Sequence, residues 1–227
     1  MAATSGLKVP AGIRSERIEL TARATGGAVP ALILHPASLP DDEANDFIYD
    51  VALASQAQWL PAFGNFSKKE YDREWEWYGL WRERFLRNKG EPVGCVAVIS
   101  SDLVQGLMIT GPSKETNLPP GDERLLYVAH MATAPWNRQN FRLPATGHPA
   151  ALRGVGTALM RQAVLMSEEY GYGGKIGLHA MGSSWRFYRK LGLTDLGKRV
   201  KDKEFPAHSW YEFSNDRAVA FLEAFGG

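Results

Sequence analysis

The sequence predicts an α/β domain in which a mixed, mostly antiparallel sheet is flanked by helices. The composition is that of a globular protein, with 44% hydrophobic and 22% charged residues among 227. Segments of helical period alternate with short runs typical of β-strands. Two such runs, 95–99 and 103–109, are joined by a tight turn and predict an antiparallel hairpin. We expect an N-terminal extension over 1–27 and one domain over 28–227.

One short strand and a helix are predicted directly after the extension. Residues 31–34 are apolar and lie between Pro30 and Pro36, which favours a strand. Three acidic residues follow Pro40 and begin a helix over 41–58, at the end where the helix dipole favours negative charge.

The next helix, predicted over 67–88, is rich in aromatic side chains. Ser67 and Glu70 stand three apart at its start, as in a capping box. Its rings suit either a binding cleft or packing against a sheet, and packing is preferred because aromatic stripes at helical spacing usually face a core. This helix is also the candidate interface for a homodimer. One stripe holds Tyr71, Trp75, Tyr78 and Phe85, and an adjacent one holds Trp77 and Trp81.

Strands and helices alternate in the C-terminal half. Residues 125–133 form a continuous apolar run, which predicts a central strand. A long loop over 134–150 follows, in which Trp136, Asn137 and Arg138 either shape an acceptor site or anchor the loop. Capping residues and glycines then delimit a helix over 153–170, a strand over 175–180, a helix over 185–191, a strand over 209–213 and a helix over 215–225.

Composition and charge argue against several classes of function. The formal net charge is +1, from 26 Lys and Arg against 25 Asp and Glu, so nucleic acid is not an expected partner. Cys95 is the one cysteine and the five histidines are far apart, so neither a disulfide nor a metal site is expected. The sequence lacks the run of roughly 18 apolar residues that spans a bilayer, and we expect a cytoplasmic protein without membrane contact.

A glycine-rich helix start gives the first functional indication. Gly154 and Gly156 follow Arg153 at the start of the predicted helix over 153–170. The first amides of a helix lack acceptors and lie at the positive end of its dipole, so such a start binds anions such as phosphate. Glycine lets a phosphate approach the backbone, and Arg153 adds positive charge. On its own the pattern is as typical of a turn as of a site.

A second motif, FYRKLGL at 187–193, follows the strand predicted over 175–180. Together with RGVGTAL at 153–159, it resembles the GNAT superfamily of acyl-CoA-dependent N-acetyltransferases. The resemblance covers about 125–213. It implies a GNAT-like sheet that is splayed between its fourth and fifth strands, and acetyl-CoA as the co-substrate.

The resemblance also implies which residues hold acetyl-CoA. The pyrophosphate would rest on backbone amides of the run 153–158, and backbone groups of the fourth strand would bond the pantetheine amides. The first basic position of the family motif is Ala151 in this sequence, and Arg153 is the candidate substitute. The cofactor-binding candidates are Met131, Ala132, Thr133, Arg153, Gly154, Val155, Gly156, Thr157 and Ala158.

Three residues are candidates for catalysis. The resemblance implies that Tyr188 protonates the departing thiolate, and a phenol with a pKa of about 10 is a competent donor to a thiolate whose conjugate acid has a pKa of about 8.5. His130 and His179 are candidates for the base that deprotonates the amine, directly or through water. Each also has a structural alternative, Tyr188 as an ordinary helix residue and the histidines as hydrogen-bonded core groups.

The predicted function is transfer of an acetyl group from acetyl-CoA to a small-molecule or peptide amine by direct attack. The alternative is a catalytically silent module of the same fold that binds acyl-CoA or a protein partner, which the missing cation at Ala151 favours. A third candidate, an enzyme acting on aminoacyl-tRNA, conflicts with the near-neutral charge.

Overall fold

The computed structural model of the chain describes residues 7–65, 75–87, 93–119, 121, 123–138, 150–181, 184–197 and 208–225. The chain divides into two compact units. The first unit comprises Met1–Arg87, Gly94–Ile109 and Met131–Leu159, and the second comprises Asn88–Val93, Thr110–His130 and Met160–Gly227.

An antiparallel sheet forms the first unit. Its strands are β1 (Arg14–Ala22), β2 (Ala28–His35), β3 (Cys95–Ser100), the first part of β4 (Leu103–Glu115) and β6 (Leu152–Arg153). They follow the order β6–β1–β2–β3–β4, and each neighbouring pair is antiparallel. Ser101 and Asp102 have φ angles of 50° and 60° between β3 and β4. These angles are those of a tight hairpin turn, so the predicted hairpin is confirmed.

β1 lies within the segment 1–27 that the sequence analysis assigns to an extension. It pairs with β2 from Arg14 to Thr21 and with β6 at Thr21 and Ala22, so it is an interior strand of this sheet. Leu20 is the one side chain of β1 that is fully buried. The strand therefore carries little of the apolar alternation by which a sequence indicates a strand.

The first helix, α1 (Asp41–Trp59), confirms the prediction for 41–58. It begins after Pro40 without a side-chain cap, and its acidic first turn supplies the favourable charge instead. Phe47, Ile48 and Val51 are buried on its inner face. The helix is fixed at its end by Trp59, whose Nε1 donates a hydrogen bond to the carbonyl of Val104 over 2.8 Å.

The second helix, α2 (Trp77–Arg87), confirms the packing interpretation, but the predicted single helix over 67–88 is wrong, because Trp75 and Glu76 are not helical. Trp77 and Trp81 are buried, whereas Trp75 and Tyr78 are half-buried. Trp81 Nε1 donates to Asn45 Oδ1 over 3.0 Å, which joins α2 to α1. The predicted capping box, Tyr71 and the side chain of Phe85 lie outside the described residues.

The second unit contains the parallel strand pair. β5 (Arg124–Thr133) pairs in parallel with β7 (Ile176–Ala180), and β7 pairs antiparallel with β9 (Ser209–Phe213), beside β8 (Thr194–Asp195). The helices α4 (Trp185–Leu191) and α5 (Asn215–Phe225) belong to this unit, whereas β4, β5 and α3 (Val155–Glu169) contribute residues to both. The mixed, mostly antiparallel sheet confirms the predicted fold class.

Candidate functional site

The start of α3, in the first unit, is the predicted phosphate site. Gly154 has a φ of +93°, in the left-handed region that favours glycine, so the helix begins at Val155 and not at Arg153. The amide of Ala158 donates to the carbonyl of Gly154 over 2.8 Å. Ala158, one of the predicted phosphate contacts, therefore uses its amide within the helix. The amides of 155–157 precede the first intrahelical bond and remain the candidates for binding an anion.

Two arginines supply positive charge near this helix start. Arg153 is exposed in β6, directly before Gly154. Burial lowers the pKa of Arg23, and the charge of Arg153 lowers it further. Arg23 is not among the residues that the sequence motifs indicate. Ala151, where the family motif has a cation, is buried and accepts a hydrogen bond from the amide of Arg23 over 2.9 Å.

A hydrogen-bond network fixes the segment that leads to this helix start. Asn137 Nδ2 donates to Gln105 Oε1 over 2.9 Å, and Asn137 Oδ1 accepts from the amide of Leu152 over 2.7 Å. Trp136 is buried and donates from Nε1 to Gln105 Oε1 over 3.1 Å. The anchoring interpretation of Trp136 and Asn137 is therefore confirmed. Residues 139–149 of the predicted loop lie outside the described part of the chain.

The predicted pantetheine positions lie at the end of β5. The carbonyl of Thr133 accepts two hydrogen bonds from Arg138, from Nε over 3.0 Å and from Nη2 over 2.7 Å. Ala132 is buried and Met131 is half-buried. The carbonyl of Thr133 is thus engaged within the chain, and Arg138, like Trp136, anchors the segment that follows β5.

In the second unit, the pairing of β5 with β7 is short. It runs from Leu126 beside Ile176 to Val128 beside Leu178, although both strands continue beyond these positions. His130 and His179 therefore lie past the last paired positions of the two strands. This early end of pairing agrees with the predicted splay between the fourth and fifth strands.

His179 is the better defined of the two histidines. Its Nδ1 lies 3.0 Å from the hydroxyl of Tyr127, and its ring packs against Trp210 with centroids 4.6 Å apart. Burial lowers the pKa of His179 to about 4, and the charges of Lys114 and His208 contribute to the lowering. The imidazole is therefore neutral at pH 7, and its basicity is lower than that of an exposed histidine. His130 is half-buried, and strand alternation places it on the face of β5 opposite Tyr127.

Tyr188 lies on α4 and is 6% exposed. Its ring packs against Tyr211 with centroids 6.1 Å apart. Burial raises the pKa of Tyr188, and the hydrogen bond with Ser184 offsets only part of the rise. Since Leu178 pairs with Tyr211 and His179 pairs with Trp210, side chains alternate and Tyr188 contacts the sheet face opposite His179. The structure therefore does not bring these two candidate groups onto one face.

Glu212, which pairs with Gly177 on the sheet, is a further buried polar residue that was not among the predicted site residues. The side chain is fully buried and accepts hydrogen bonds from Thr116 Oγ1 over 2.6 Å, from the Asn117 amide over 2.9 Å and from Trp210 Nε1. Burial alone would raise its pKa, but these hydrogen bonds outweigh burial and hold the pKa below its ordinary value. A lone carboxylate in an otherwise apolar strand is the sequence signal that identifies such a group.

The described residues contain no group of three or more His, Cys, Asp or Glu residues placed to hold a metal ion. None of the helices formed by the described residues has both the length and the apolar character needed to cross a membrane.

No protein-family model matches the sequence, and no curated protein matches it significantly. Solved structures do resemble it. PaiA N-acetyltransferase from Thermoplasma acidophilum, in complex with coenzyme A, is 10% identical, with a TM-score of 0.46 over 74% of this chain and 92% of that one. An N-acetyltransferase from Staphylococcus aureus Mu50 is 13% identical, with a TM-score of 0.47 over 82% and 98%. Escherichia coli ElaA is 11% identical, with a TM-score of 0.45 over 82% and 99%.

The chain itself shows the features that the sequence resemblance implies for the fold. They are the antiparallel hairpin of β3 and β4, the parallel pair of β5 and β7 whose register ends early, and the glycine that precedes α3. The chain therefore has the strand arrangement that the resemblance implies, and it is similar to the N-acetyltransferases named above.

Proposed function

We propose that the chain is an N-acetyltransferase that transfers an acetyl group from acetyl-CoA to a small-molecule or peptide amine. The start of α3 carries the proposal, because amides without intrahelical acceptors follow Gly154 beside the charges of Arg153 and Arg23. A diphosphate is the anion that such a group of amides and guanidinium ions suits.

In the proposed reaction the amine attacks the thioester carbonyl directly. A C–N bond forms, the C–S bond breaks, and the thiolate takes a proton from Tyr188. The pKa of Tyr188 is raised, so its phenol is protonated at neutral pH and carries the proton that a donor must supply. His130 or, from the sheet face opposite Tyr188, His179 accepts the proton of the amine, directly or through water. Holding the two substrates together supplies the remaining rate enhancement.

Turnover with acetyl-CoA and a panel of amines tests the proposal, with release of the free thiol as the signal. Tyr188→Phe should lower kcat by about 100-fold or more, the usual contribution of a positioned acid, while KM for acetyl-CoA changes little. Tyr172→Phe is the matched control, since Tyr172 lies in the turn that follows α3. Equal activity of the two variants would show that Tyr188 is a packing residue.

A silent acyl-CoA-binding or protein-interaction module is the second candidate function. Two observations favour it: Ala151 provides no cation, and the Thr133 carbonyl is already bonded to Arg138. Calorimetry with acetyl-CoA separates the candidates. Binding without thiol release across the amine panel supports a binding module, and the absence of binding supports a protein-interaction module.

A further inference from the structure

An aromatic surface borders the point where β5 and β7 separate. It consists of Tyr127, His179 and Trp210, and we call it the Tyr127 face. The rings of Tyr127 and Trp210 are stacked with centroids 5.8 Å apart, and both contact His179. Gly177 makes this arrangement possible, because a Cβ at that position would lie 2.7 Å from Trp210 Cζ2. The stacked rings therefore lie over β7 where no side chain intervenes.

A primary ammonium group is bound to this surface. Nζ of Lys114, on β4, lies 3.8 Å from the centroid of the Tyr127 ring and 5.4 Å from that of Trp210. Trp210 donates its indole N–H to the carboxylate of Glu212, which polarises the ring toward greater electron density. Both rings thus attract a cation through their faces. The amine on this surface therefore belongs to the chain itself. Lys114 is an exposed residue.

The ring of Tyr127 connects Lys114 with a candidate base. The hydroxyl of Tyr127, whose ring carries the ammonium, lies 3.0 Å from Nδ1 of His179. The charge of Lys114 contributes to the low pKa of His179, so the two groups interact electrostatically. Loss of a proton from this ammonium, to the imidazole or to water, would give the neutral amine that attack on a thioester requires.

We propose that Lys114 is a self-acetylation site, at which the chain transfers an acetyl group from acetyl-CoA to its own Nζ. The inference rests on the proposed function. The ammonium first gives a proton to His179 or water. The nitrogen lone pair then attacks the thioester carbonyl, the C–N bond forms, and the C–S bond breaks. The leaving thiolate takes a proton and departs as coenzyme A, and Lys114 becomes a neutral amide.

Acetylation of Lys114 changes the site that performs it. The amide has no charge, so its attraction to the rings of Tyr127 and Trp210 is lost. One cause of the low pKa of His179 is removed, while burial and the neighbouring His208 remain. The Tyr127 face is then open to another amine, and His179 becomes a stronger base.

Mass spectrometry of the full chain incubated with acetyl-CoA tests the proposal. Lys190 is the matched control, because it lies in the same unit and is exposed like Lys114. We expect Lys114 to be acetylated about tenfold faster than Lys190 or more, as positioning beside a base implies. The urea-unfolded chain provides the non-enzymatic background, in which the two lysines should react at similar rates. Lys114→Arg should lose the modification, and Lys190→Arg should retain it.

The outcomes separate this inference from the proposed function. Acetylation of amines in the panel without selective acetylation of Lys114 overturns the inference and leaves the proposed function intact. Absence of acetyl transfer to any amine, Lys114 included, overturns both.

A second measurement does not depend on activity. In Lys114→Gln, the pKa of His179 measured by NMR should rise, and in Lys175→Gln it should stay at the wild-type value. An unchanged pKa in Lys114→Gln would contradict the position assigned to Lys114.

Discussion

Replacing Glu212 with glutamine tests how the second unit holds the residues around His179. Glu212 is fully buried in β9, and its two oxygens accept from Thr116 Oγ1, from the amides of Asn117 and Leu118, from Asn117 Nδ2 and from Trp210 Nε1. Every partner is a donor, which suits a carboxylate and not an amide. Glu212→Gln keeps the shape of the side chain, but it replaces one acceptor oxygen with a donor.

The expected loss of stability follows from these bonds. A hydrogen bond to a charged group contributes roughly 1.5–3 kcal/mol, compared with roughly 0.5–1.5 kcal/mol for a neutral one. With at least three bonds weakened by about 1 kcal/mol each, the free energy of unfolding should fall by about 3 kcal/mol. Glu123→Gln is the matched control. Glu123 is 49% exposed and forms an ion pair with Lys175. Loss of this ion pair should lower the free energy of unfolding by less than about 1 kcal/mol.

Urea unfolding followed by tryptophan fluorescence measures this difference, and its pH dependence identifies the cause. The folded-state pKa of Glu212 lies below its ordinary value, so the stability that its charge provides is present above about pH 4.5 and is lost as pH falls through the folded pKa. The difference in the free energy of unfolding between wild type and Glu212→Gln should therefore become smaller below about pH 4.5. The reasoning would be refuted if wild type and Glu212→Gln had equal free energies of unfolding at pH 7. It would also be refuted if the difference between them stayed constant down to pH 3.

Three further predictions follow from single contacts. Gly106→Ala should destabilise the chain by about 1–3 kcal/mol in urea unfolding, because the new Cβ would lie 2.8 Å from Val155 Cγ1 in α3. Asn137→Ala removes the hydrogen bonds that join β4 to Leu152, so it should lower the free energy of unfolding by about 2 kcal/mol. It should also weaken the binding of coenzyme A, as measured by calorimetry. His179 has a pKa of about 4 when folded and an ordinary value of 6.5, so the free energy of unfolding should fall as pH drops from 6.5 to 4, and less so in His179→Gln.

Element boundaries are predictable where the sequence marks them with capping residues and glycines. The prediction for 185–191 matches α4, which ends at Gly192 with a φ of +98°. The predictions for 209–213 and 215–225 match β9 and α5, although Ser214 Oγ accepts from the amide of Arg217 while Asn215 Nδ2 donates to the carbonyl of Gly173. These signals are local, and they depend on the backbone conformation that each residue favours.

Elements that depend on distant partners are harder to predict. β1 has one fully buried side chain, and its place in the sheet comes from pairing with β2 and with β6, which follows far along the chain. β6 has two residues and no pattern of its own. In both cases tertiary pairing, and not the local sequence, determines the strand.

The residues of the candidate site also differ in whether the local sequence indicates them. Gly154 and its helix start are identifiable from their spacing, because glycine is required by the local conformation. Arg23 and Lys114 cannot be identified in this way, because each reaches its position through a strand register that the sequence does not reveal. Glu212 has a sequence signal, but four of its five donors come from residues 116–118, in another part of the second unit.

Titration with coenzyme A, in wild type and in Gly156→Asp, tests the central proposal most directly. An aspartate in the first turn of α3 suits the helix dipole, so the fold should be retained, but its charge repels a phosphate from the amides of 155–157. We expect calorimetry to show binding to wild type and a loss of about 100-fold or more in Gly156→Asp, with unchanged thermal stability. Equal affinity of the two proteins, or no binding to wild type, would contradict a coenzyme A site at the start of α3.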